Sequence, residues 1–321
     1  MLSLAFFCMV EPCHNALRER PLLLMLSKVP EILVPLPAER SSMRLGYNTN
    51  GLCHHRWQDA LQLLADTGYE SVALTVDHYL LDPQSSKLPE EIRAVEATLQ
   101  RLGFSCVIET GARFLLNPRR KHEPTLVSPT PNEREIRIGF LTHCLNLAER
   151  FQAEALSLWS GVVHDGASRE VALERLIEGL KPVLESADQR NLRLAFEPEP
   201  GMLIATMQDF AELSERLNAP HFGLTLDVGH VHCLEQTSIP DVIDKWQRQI
   251  WNIHLEDMER GVHEHLAFGD GTIAFPPIFA ALHRIGYAGG VHVELSRHSH
   301  EAPTQLENCL QAMKSWRDQT R

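Results

Sequence analysis

The stretch RWQDALQLLADTGYESVALTVDH (residues 56–78) contains one complete unit of the pattern that decides the fold. Trp57, Leu61 and Leu64 are spaced at i, i+4 and i+7, which places them on one face of a helix. Gly68 ends the helical pattern, and the apolar run that follows it predicts a strand buried on both faces. The stretch is therefore predicted to form a helix, a glycine turn and a buried strand.

The same unit recurs along the chain from Met43 onward. Alternating helices and strands imply parallel pairing, and eight such units in about 280 residues fit a closed (β/α)8 TIM barrel. A doubly wound open sheet is the alternative, but no GxGxxG motif follows the first strand. The predicted strands are RLGYNTN (44–50), SVALTVDH (71–78), CVIETG (106–111), EALSLWSG (154–161), LRLAFEPE (192–199), GLTLDVGH (223–230), IWNIHLED (250–257) and GVHVELSRH (290–298).

The chain length allows one large domain or two of ordinary size. With 321 residues and 44% hydrophobic composition, it can bury a large core. We predict a poorly ordered N-terminal extension over residues 1–42, or translation from Met43, and an α/β barrel domain over residues 43–321. The net charge of −12 disfavours binding to nucleic acid or to an anionic membrane, since both partners attract cationic surfaces.

Targeting signals are weak in this sequence. No run approaches the ~20 apolar residues of a membrane-spanning helix. No basic residue precedes the first apolar run, which disfavours a secretory signal. Seven cysteines without a CxxC motif favour free thiols in a reducing compartment. We therefore predict a cytoplasmic protein, and the oligomeric state stays open.

Polar residues at strand ends are the candidates for chemistry, because barrel active sites form where strands end and loops begin. The fifth to eighth strands end at Glu197, Asp227, His254 and Glu294. One strand-end acid is more often a loop cap or an ion-pair partner, but carboxylates and an imidazole that converge from four consecutive strands would repel one another without a cation. Oxygen and imidazole donors suit a hard or borderline divalent metal. The pattern therefore predicts a metal site.

The motifs FEP, LDVGH, NIHLED and HVELSRH resemble those of the xylose isomerase-like barrel superfamily of sugar isomerases, epimerases and endonuclease IV. The resemblance extends from residue 43 to about 315. It implies one divalent ion (Mn, Mg, Co or Zn) bound by the four strand-end residues. It also implies that Glu197 and Glu294 are catalytic and exchange protons with a substrate carbon.

The resemblance implies substrate-binding residues as well. His230 and Arg260 match positions that bind substrate in the ketose 3-epimerase branch. We add His265, and Trp159 as an apolar wall for a sugar face, with core packing as the alternative for Trp159. That branch carries a further glutamate six residues after the strand-five ligand. This chain departs from it, with Ile204 there and Glu199 as a nearer substitute.

The predicted function is a divalent-metal-dependent isomerase or epimerase acting on a small carbohydrate, which is a sugar, a sugar phosphate or a cyclitol. Two carboxylates would act as base and acid through a metal-stabilised enediolate. A dehydratase of the inosose or dehydroshikimate type would use the same metal. An endonuclease IV-type phosphodiesterase would need a three-zinc cluster, for which His263 and His265 are suggestive. Glu109 ends the third strand where that enzyme needs histidine.

A basic cluster follows the third strand, in the long unpatterned segment 117–133. It contains Arg119, Arg120 and Lys121. Most such clusters are simply solvated, but phosphate or carboxylate binding is the alternative.

Overall fold

The structure, a computed structural model, describes residues 43–320, in which eight parallel strands close into a barrel. The strand order around the barrel is β1-β10-β7-β6-β5-β4-β3-β2, which confirms the predicted barrel and makes the doubly wound alternative wrong. The predicted extension, residues 1–42, lies outside the described residues. The barrel strands are β1 (Arg44–Asn48), β2 (Ser71–Thr75), β3 (Ser105–Glu109), β4 (Leu156–Leu158), β5 (Leu194–Phe196), β6 (Phe222–Asp227), β7 (Ile250–Leu255) and β10 (Gly290–Val293).

Helices cover the outside of the barrel, as the repeating unit predicts. In α1, Leu61 and Leu64 are fully buried, and Gly68 ends the helix in a left-handed conformation with φ of 107°. The helices are α1 (Trp57–Thr67), α2 (Leu88–Leu102), α3 (Pro131–Phe151), α4 (Arg169–Gln189), α5 (Met207–Leu217), α6 (Val228–Leu234), α7 (Ile239–Trp246), α8 (Phe275–Arg284) and α9 (Ala302–Asp318).

The inward face of the second half of the barrel carries the candidate site and its support. Side chains alternate along a strand, so the residue two positions earlier points to the same interior. Two residues before each predicted ligand lie Ala195, Thr225, Asn252 and His292, all with 0% exposure. His292 Nδ1 lies 2.9 Å from Asn252 Oδ1, and Nε2 of the same ring lies 2.9 Å from Ser71 Oγ. A hydrogen-bonded polar floor therefore underlies the site.

Most barrel strands are shorter than predicted, and two local differences affect the site. The sixth strand stops at Asp227 rather than continuing to His230, because α6 begins at once. Asp227 caps that helix: its Oδ1 accepts the His230 backbone N–H at 2.7 Å.

After β7 the chain forms an antiparallel hairpin, β8 (Asp257–Glu259) and β9 (Val262–Leu266), that the sequence did not predict. The Asp257 carboxylate accepts backbone N–H groups of Met258, Gly269 and Ile273 at 2.9 to 3.0 Å. Asp257 therefore organises the loop that follows the hairpin.

Within residues 43–320, none of the helices combines the length and apolar character needed to cross a bilayer.

Candidate active site

The four predicted ligands meet at the carboxyl end of the barrel. Each offers one donor atom, and these four atoms lie within 4.8 Å of one another. His254 Nδ1 is 2.8 Å from Glu294 Oε2, 3.1 Å from Glu197 Oε1 and 3.9 Å from Asp227 Oδ2. We call Glu197, Asp227, His254 and Glu294 the carboxylate–histidine cluster.

The donor set fits a divalent metal ion. Three carboxylates and one imidazole are the ligands that hard and borderline divalent ions prefer. Asp227 Oδ2 is buried and has no well-formed hydrogen bond among the described residues, where the buried Glu256 carboxyl is the neighbouring group that interacts with the Asp227 carboxylate. Since buried polar atoms are nearly always satisfied, an orphaned carboxylate oxygen facing this cluster is one that a cation would satisfy.

Burial and close charges set the ionisation of the cluster in the absence of a cation. Burial raises the pKa of Glu197 well above its usual range. Burial also acts to raise the pKa of Glu294, but the neighbouring His254 outweighs it and lowers that pKa. Burial acts to lower the pKa of His254, and Glu109, Glu294 and Glu197 together raise it well above the usual histidine value. A protonated imidazole thus provides the positive charge that a metal ion would otherwise supply.

Glu109 holds the opposite side of the His254 ring. Its Oε1 lies 2.9 Å from His254 Nε2 and accepts the side-chain amide of Asn252, also at 2.9 Å. All three side chains are buried. A carboxylate that accepts the N–H of one ring nitrogen leaves the other nitrogen as the donor atom toward a metal. The contact therefore directs Nδ1 toward the cluster.

A group of three histidines lies beside the cluster. His230, His263 and His265 each offer a nitrogen, and these nitrogens lie within 4.8 Å of one another. The Nδ1–H of His230 donates to the Pro198 carbonyl at 3.0 Å, and that of His265 donates to the Glu294 carbonyl at 3.1 Å. Burial lowers the pKa of His230 to about 4. With its Nδ1–H on a carbonyl, the His230 ring accepts at Nε2 from His263 Nε2, which lies 3.1 Å away.

A cavity of about 250 Å³ opens onto the cluster. His230, His265 and Trp159, three of the predicted substrate-binding residues, line it. Trp159 is half-buried, with the Arg137 guanidinium 4.8 Å from its ring centre. Arg260 is exposed and is not among the lining residues. Its Nη1 donates to the Glu235 carbonyl at 2.7 Å, so its contact with substrate stays a prediction.

Ile204 occupies the position at which this sequence departs from the ketose 3-epimerase pattern, and the structure shows its surroundings. Ile204 is fully buried, whereas Glu199 lines the cavity. The backbone N–H of Glu199 donates to the Ile204 carbonyl at 3.0 Å, which closes the loop between them. Burial, together with Glu294 and Asp227, raises the pKa of Glu199 to about 8. Glu199 is thus a further carboxyl group in the cavity, besides Glu109 and the glutamates of the carboxylate–histidine cluster.

Sequence reasoning gave no role to two partners of the cluster. The Asn50 side-chain amide donates to Glu294 Oε1 at 2.7 Å. Glu256 is fully buried behind Asp227, and its Oε1 accepts the Gly229 backbone N–H at 2.9 Å. The alternation Asn252-x-His254-x-Glu256 was the available signal, because it places all three side chains on one face of β7.

Comparisons with known proteins identify the family and the fold. A family model described as xylose isomerase-like TIM barrel matches residues 61–318. The chain is 25% identical over 254 residues to L-ribulose-5-phosphate 3-epimerase UlaE of Escherichia coli strain K12, an alignment covering 77% of this chain and 84% of that protein.

Solved structures show the same fold. D-allulose 3-epimerase from Methylomonas sp. superposes with a TM-score of 0.69 at 14% identity, covering 86% of this chain and 98% of that one. The IOLI protein, solved with a zinc atom, gives a TM-score of 0.69 at 16% identity, covering 87% of this chain and 99% of that one.

Proposed function

This chain belongs to the xylose isomerase-like TIM barrel family, and on that premise we propose that it is a divalent-metal-dependent sugar isomerase or epimerase. Its substrate is a small carbohydrate, and the reaction is proton transfer beside a carbonyl group. The main support is the carboxylate–histidine cluster, whose donor atoms lie within 4.8 Å of one another beside the cavity. A curated relative at 25% identity, named as a 3-epimerase, supports the same reaction class.

The carboxylate–histidine cluster would hold one divalent ion: Mn, Mg, Co or Zn. When bound, such an ion acts as a Lewis acid that stabilises negative charge on the oxygens of the reacting carbonyl and its neighbouring hydroxyl. Asp227 and His254 have side-chain exposures of 0% and 1%, which suits fixed ligands.

The two glutamates would move the proton. Glu197 follows β5 and Glu294 follows β10, with β6 and β7 between them in the barrel. The two carboxylates would therefore approach the reacting carbon from different sides. One carboxylate removes the proton from the carbon beside the carbonyl and leaves an enediolate. The other returns a proton to the opposite face, which inverts that centre.

The remaining predicted residues would bind the carbohydrate. His230 and His265 hold Nδ1 on backbone carbonyls, so Nε2 is the atom that would meet a substrate hydroxyl group. In His230 that hydroxyl would replace the 3.1 Å contact with His263 Nε2. Trp159 offers an aromatic face to the apolar side of a sugar. Arg260 would contact substrate after leaving the carbonyl of Glu235. A cytoplasmic location remains part of this proposal.

Hydrogen–deuterium exchange tests the proposal. Metal-loaded protein is incubated in D2O with a panel of ketoses, inososes and their phosphates, and deuterium is located by NMR. We expect deuterium at the carbon beside the carbonyl, together with the epimer or isomer. Loss of water from the substrate would instead identify the dehydratase alternative.

Variants of the two glutamates sharpen the test. Glu197→Gln and Glu294→Gln should each lower turnover by about 10²–10⁴-fold, the usual contribution of a positioned acid–base group. Each variant should retain wash-in of deuterium from one epimer only, and the two variants should retain opposite epimers. The exposed Glu301→Gln serves as the matched control. Near-normal turnover in both variants at full metal content would refute the mechanism.

A phosphodiesterase with several metal ions is the second candidate, because His230, His263 and His265 offer a second donor group beside the first. The end of β3 argues against it, since Glu109 rather than a histidine stands there and contacts His254. Elemental analysis separates the two functions. One metal per chain supports the isomerase, whereas about three per chain with cleavage of abasic DNA supports the phosphodiesterase.

A further inference from the structure

The cavity has two sides, and only one of them carries the carboxylate–histidine cluster. The cluster lies on β5, β6, β7 and β10. In the closed strand order, β3 lies opposite β7, four positions away around the barrel. A substrate whose reacting carbon lies at the cluster therefore extends its far end toward the loop that follows β3.

Two cationic side chains of that loop line the cavity, Arg113 and Lys121. Arg113 Nε faces Asp77 Oδ2 at 3.4 Å, which holds the guanidinium in place. Arg113 Nη2 is buried and has no hydrogen-bond partner among the described residues. An unsatisfied buried donor on a charged group is costly, so a small shift of the guanidinium that brings Nη2 to an anion in the cavity would be favourable.

Lys121 differs from the two arginines beside it in the sequence. Arg120 pairs with Glu133 at 2.8 Å, and neither Arg119 nor Arg120 lines the cavity. Lys121 does line it and forms no ion pair within residues 43–320, although its charge acts on the Glu199 carboxyl and opposes the rise in that pKa. The basic cluster seen in the sequence is thus divided, with one cation directed to the cavity and two to the surface.

Hydrogen bonds from Arg137 fix the loop that carries these cations. Arg137 is buried, and its guanidinium donates to the backbone carbonyls of Thr110, His122 and Pro124 at 3.2, 2.6 and 2.7 Å. Three bonds from one side chain fix the backbone on both sides of Arg113 and beside Lys121. A binding group that is fixed before its ligand arrives has less conformational entropy to lose on binding.

We propose that Arg113 and Lys121 bind an anionic group, a phosphate or a carboxylate, at the end of the substrate remote from the carboxylate–histidine cluster. The arginine supplies directed hydrogen bonds and the lysine a point charge. This inference rests on the proposed function only in placing the reacting carbon at the cluster. It narrows the substrate class from carbohydrates in general to phosphorylated or acidic sugars.

Binding of inorganic phosphate tests the anion site without reference to activity. Isothermal titration calorimetry is carried out on metal-loaded protein and again after removal of metal with a chelator, since a bound metal can itself bind phosphate. Lys121→Gln should weaken phosphate binding about tenfold in both forms, the loss expected for one charge-assisted contact. Arg119→Gln, a cation of the same loop outside the cavity, should bind phosphate like the wild type.

A kinetic arm distinguishes the two anions. For each ketose that exchanges deuterium, kcat/KM is compared with that of its terminal phosphate and of its terminal carboxylic acid. The ratio of anionic to neutral substrate should fall about tenfold in Lys121→Gln and stay constant in Arg119→Gln. Whichever anionic substrate, the phosphate or the carboxylic acid, has the larger ratio in the wild type identifies the anionic group that the site binds.

The outcomes separate this inference from the proposed function. Equal phosphate affinity in wild type, Lys121→Gln and Arg119→Gln overturns the anion site, whatever the activity. In that case the two cations only balance the cavity carboxylates. Phosphate binding that depends on Lys121, together with no exchange for any sugar, upholds the anion site and overturns the epimerase. Lys121 is exposed, so Lys121→Gln is expected to fold. Arg113→Gln removes the other cation of the site, and its phosphate affinity provides a second test.

Discussion

The imidazole of His254 has carboxylates at both ring nitrogens, and the two contacts have different consequences. Glu197 and Glu294 face Nδ1 within the cluster, whereas Glu109 faces Nε2 from the other side of the barrel interior. Partners of this kind fix the orientation of a metal-binding histidine and raise its basicity. At the scale of single residues, we therefore predict that Glu109 is a positioning residue that acts through His254.

Glu109→Gln should weaken metal binding. The neutral amide no longer supports the Nε2–H bond with a full negative charge, so Nδ1 becomes a poorer ligand. We expect the metal dissociation constant to rise about 10–100-fold, as measured by competition with a fluorescent chelator. Asp227→Asn, which removes a proposed ligand, should weaken binding further. An unchanged dissociation constant in Glu109→Gln would contradict the positioning role.

At the scale of elements, the segment between β3 and α3 forms one wall of the cavity. Arg137 of α3 holds its backbone, and His122 packs its ring edge-on against Trp159 with centroids 5.2 Å apart. The Nδ1–H of His122 donates to the Gly111 carbonyl at 2.8 Å, which joins the two ends of the loop. The wall is thus a packed unit that depends on a neutral histidine.

The stability of this wall should depend on pH. Burial lowers the pKa of His122 to about 4, against about 6.5 in an unfolded chain. Between these values the unfolded chain binds a proton that the folded chain does not, so stability is lost as pH falls from about 6.5 to about 4. His122→Gln should remove up to about 1.4 kcal/mol per pH unit of that dependence.

Urea unfolding of wild type and His122→Gln at several pH values between 4 and 7 measures the effect. The difference in unfolding free energy between the two proteins should shrink as the pH falls. A difference that is constant across this range would show that His122 is not the group responsible.

At the scale of the whole molecule, the barrel closes within residues 43–320. β1 pairs with β10 on one side and β2 on the other, so both of its edges are occupied. Met43 is 4% exposed and packs into the core at the start of β1. Closure of the sheet therefore depends on residues from Met43 onward.

A chain that begins at Met43 should fold and melt like the full chain. We expect the melting temperature to change by less than about 2 °C, since about 1 kcal/mol shifts it by 2–4 °C in domains of comparable size. Differential scanning calorimetry of both chains, with circular dichroism to compare their folds, makes the measurement. An insoluble product, or a much lower melting temperature, would show that residues 1–42 contribute to the core.

The sequence by itself determined the barrel and the convergence of four polar side chains at one end of it. The spacing of Leu61 and Leu64 and the apolar strands depend on local periodicity, which can be read without knowing any distant contact. The positions of Glu197 and Glu294 at strand ends follow from the same periodicity. Parallel strands then bring those ends to one rim, so the cluster could be predicted before its geometry was known.

Only the tertiary structure decided which atoms meet. Glu109 contacts His254 across 145 residues of sequence, and that contact exists only because the barrel closes. The same closure turns Lys121 toward the cavity while its neighbour Arg120 pairs at the surface, and it leaves Arg260 on a backbone carbonyl. The physical reason is that side-chain direction and long-range pairing are set by packing against distant elements, which local sequence patterns do not encode.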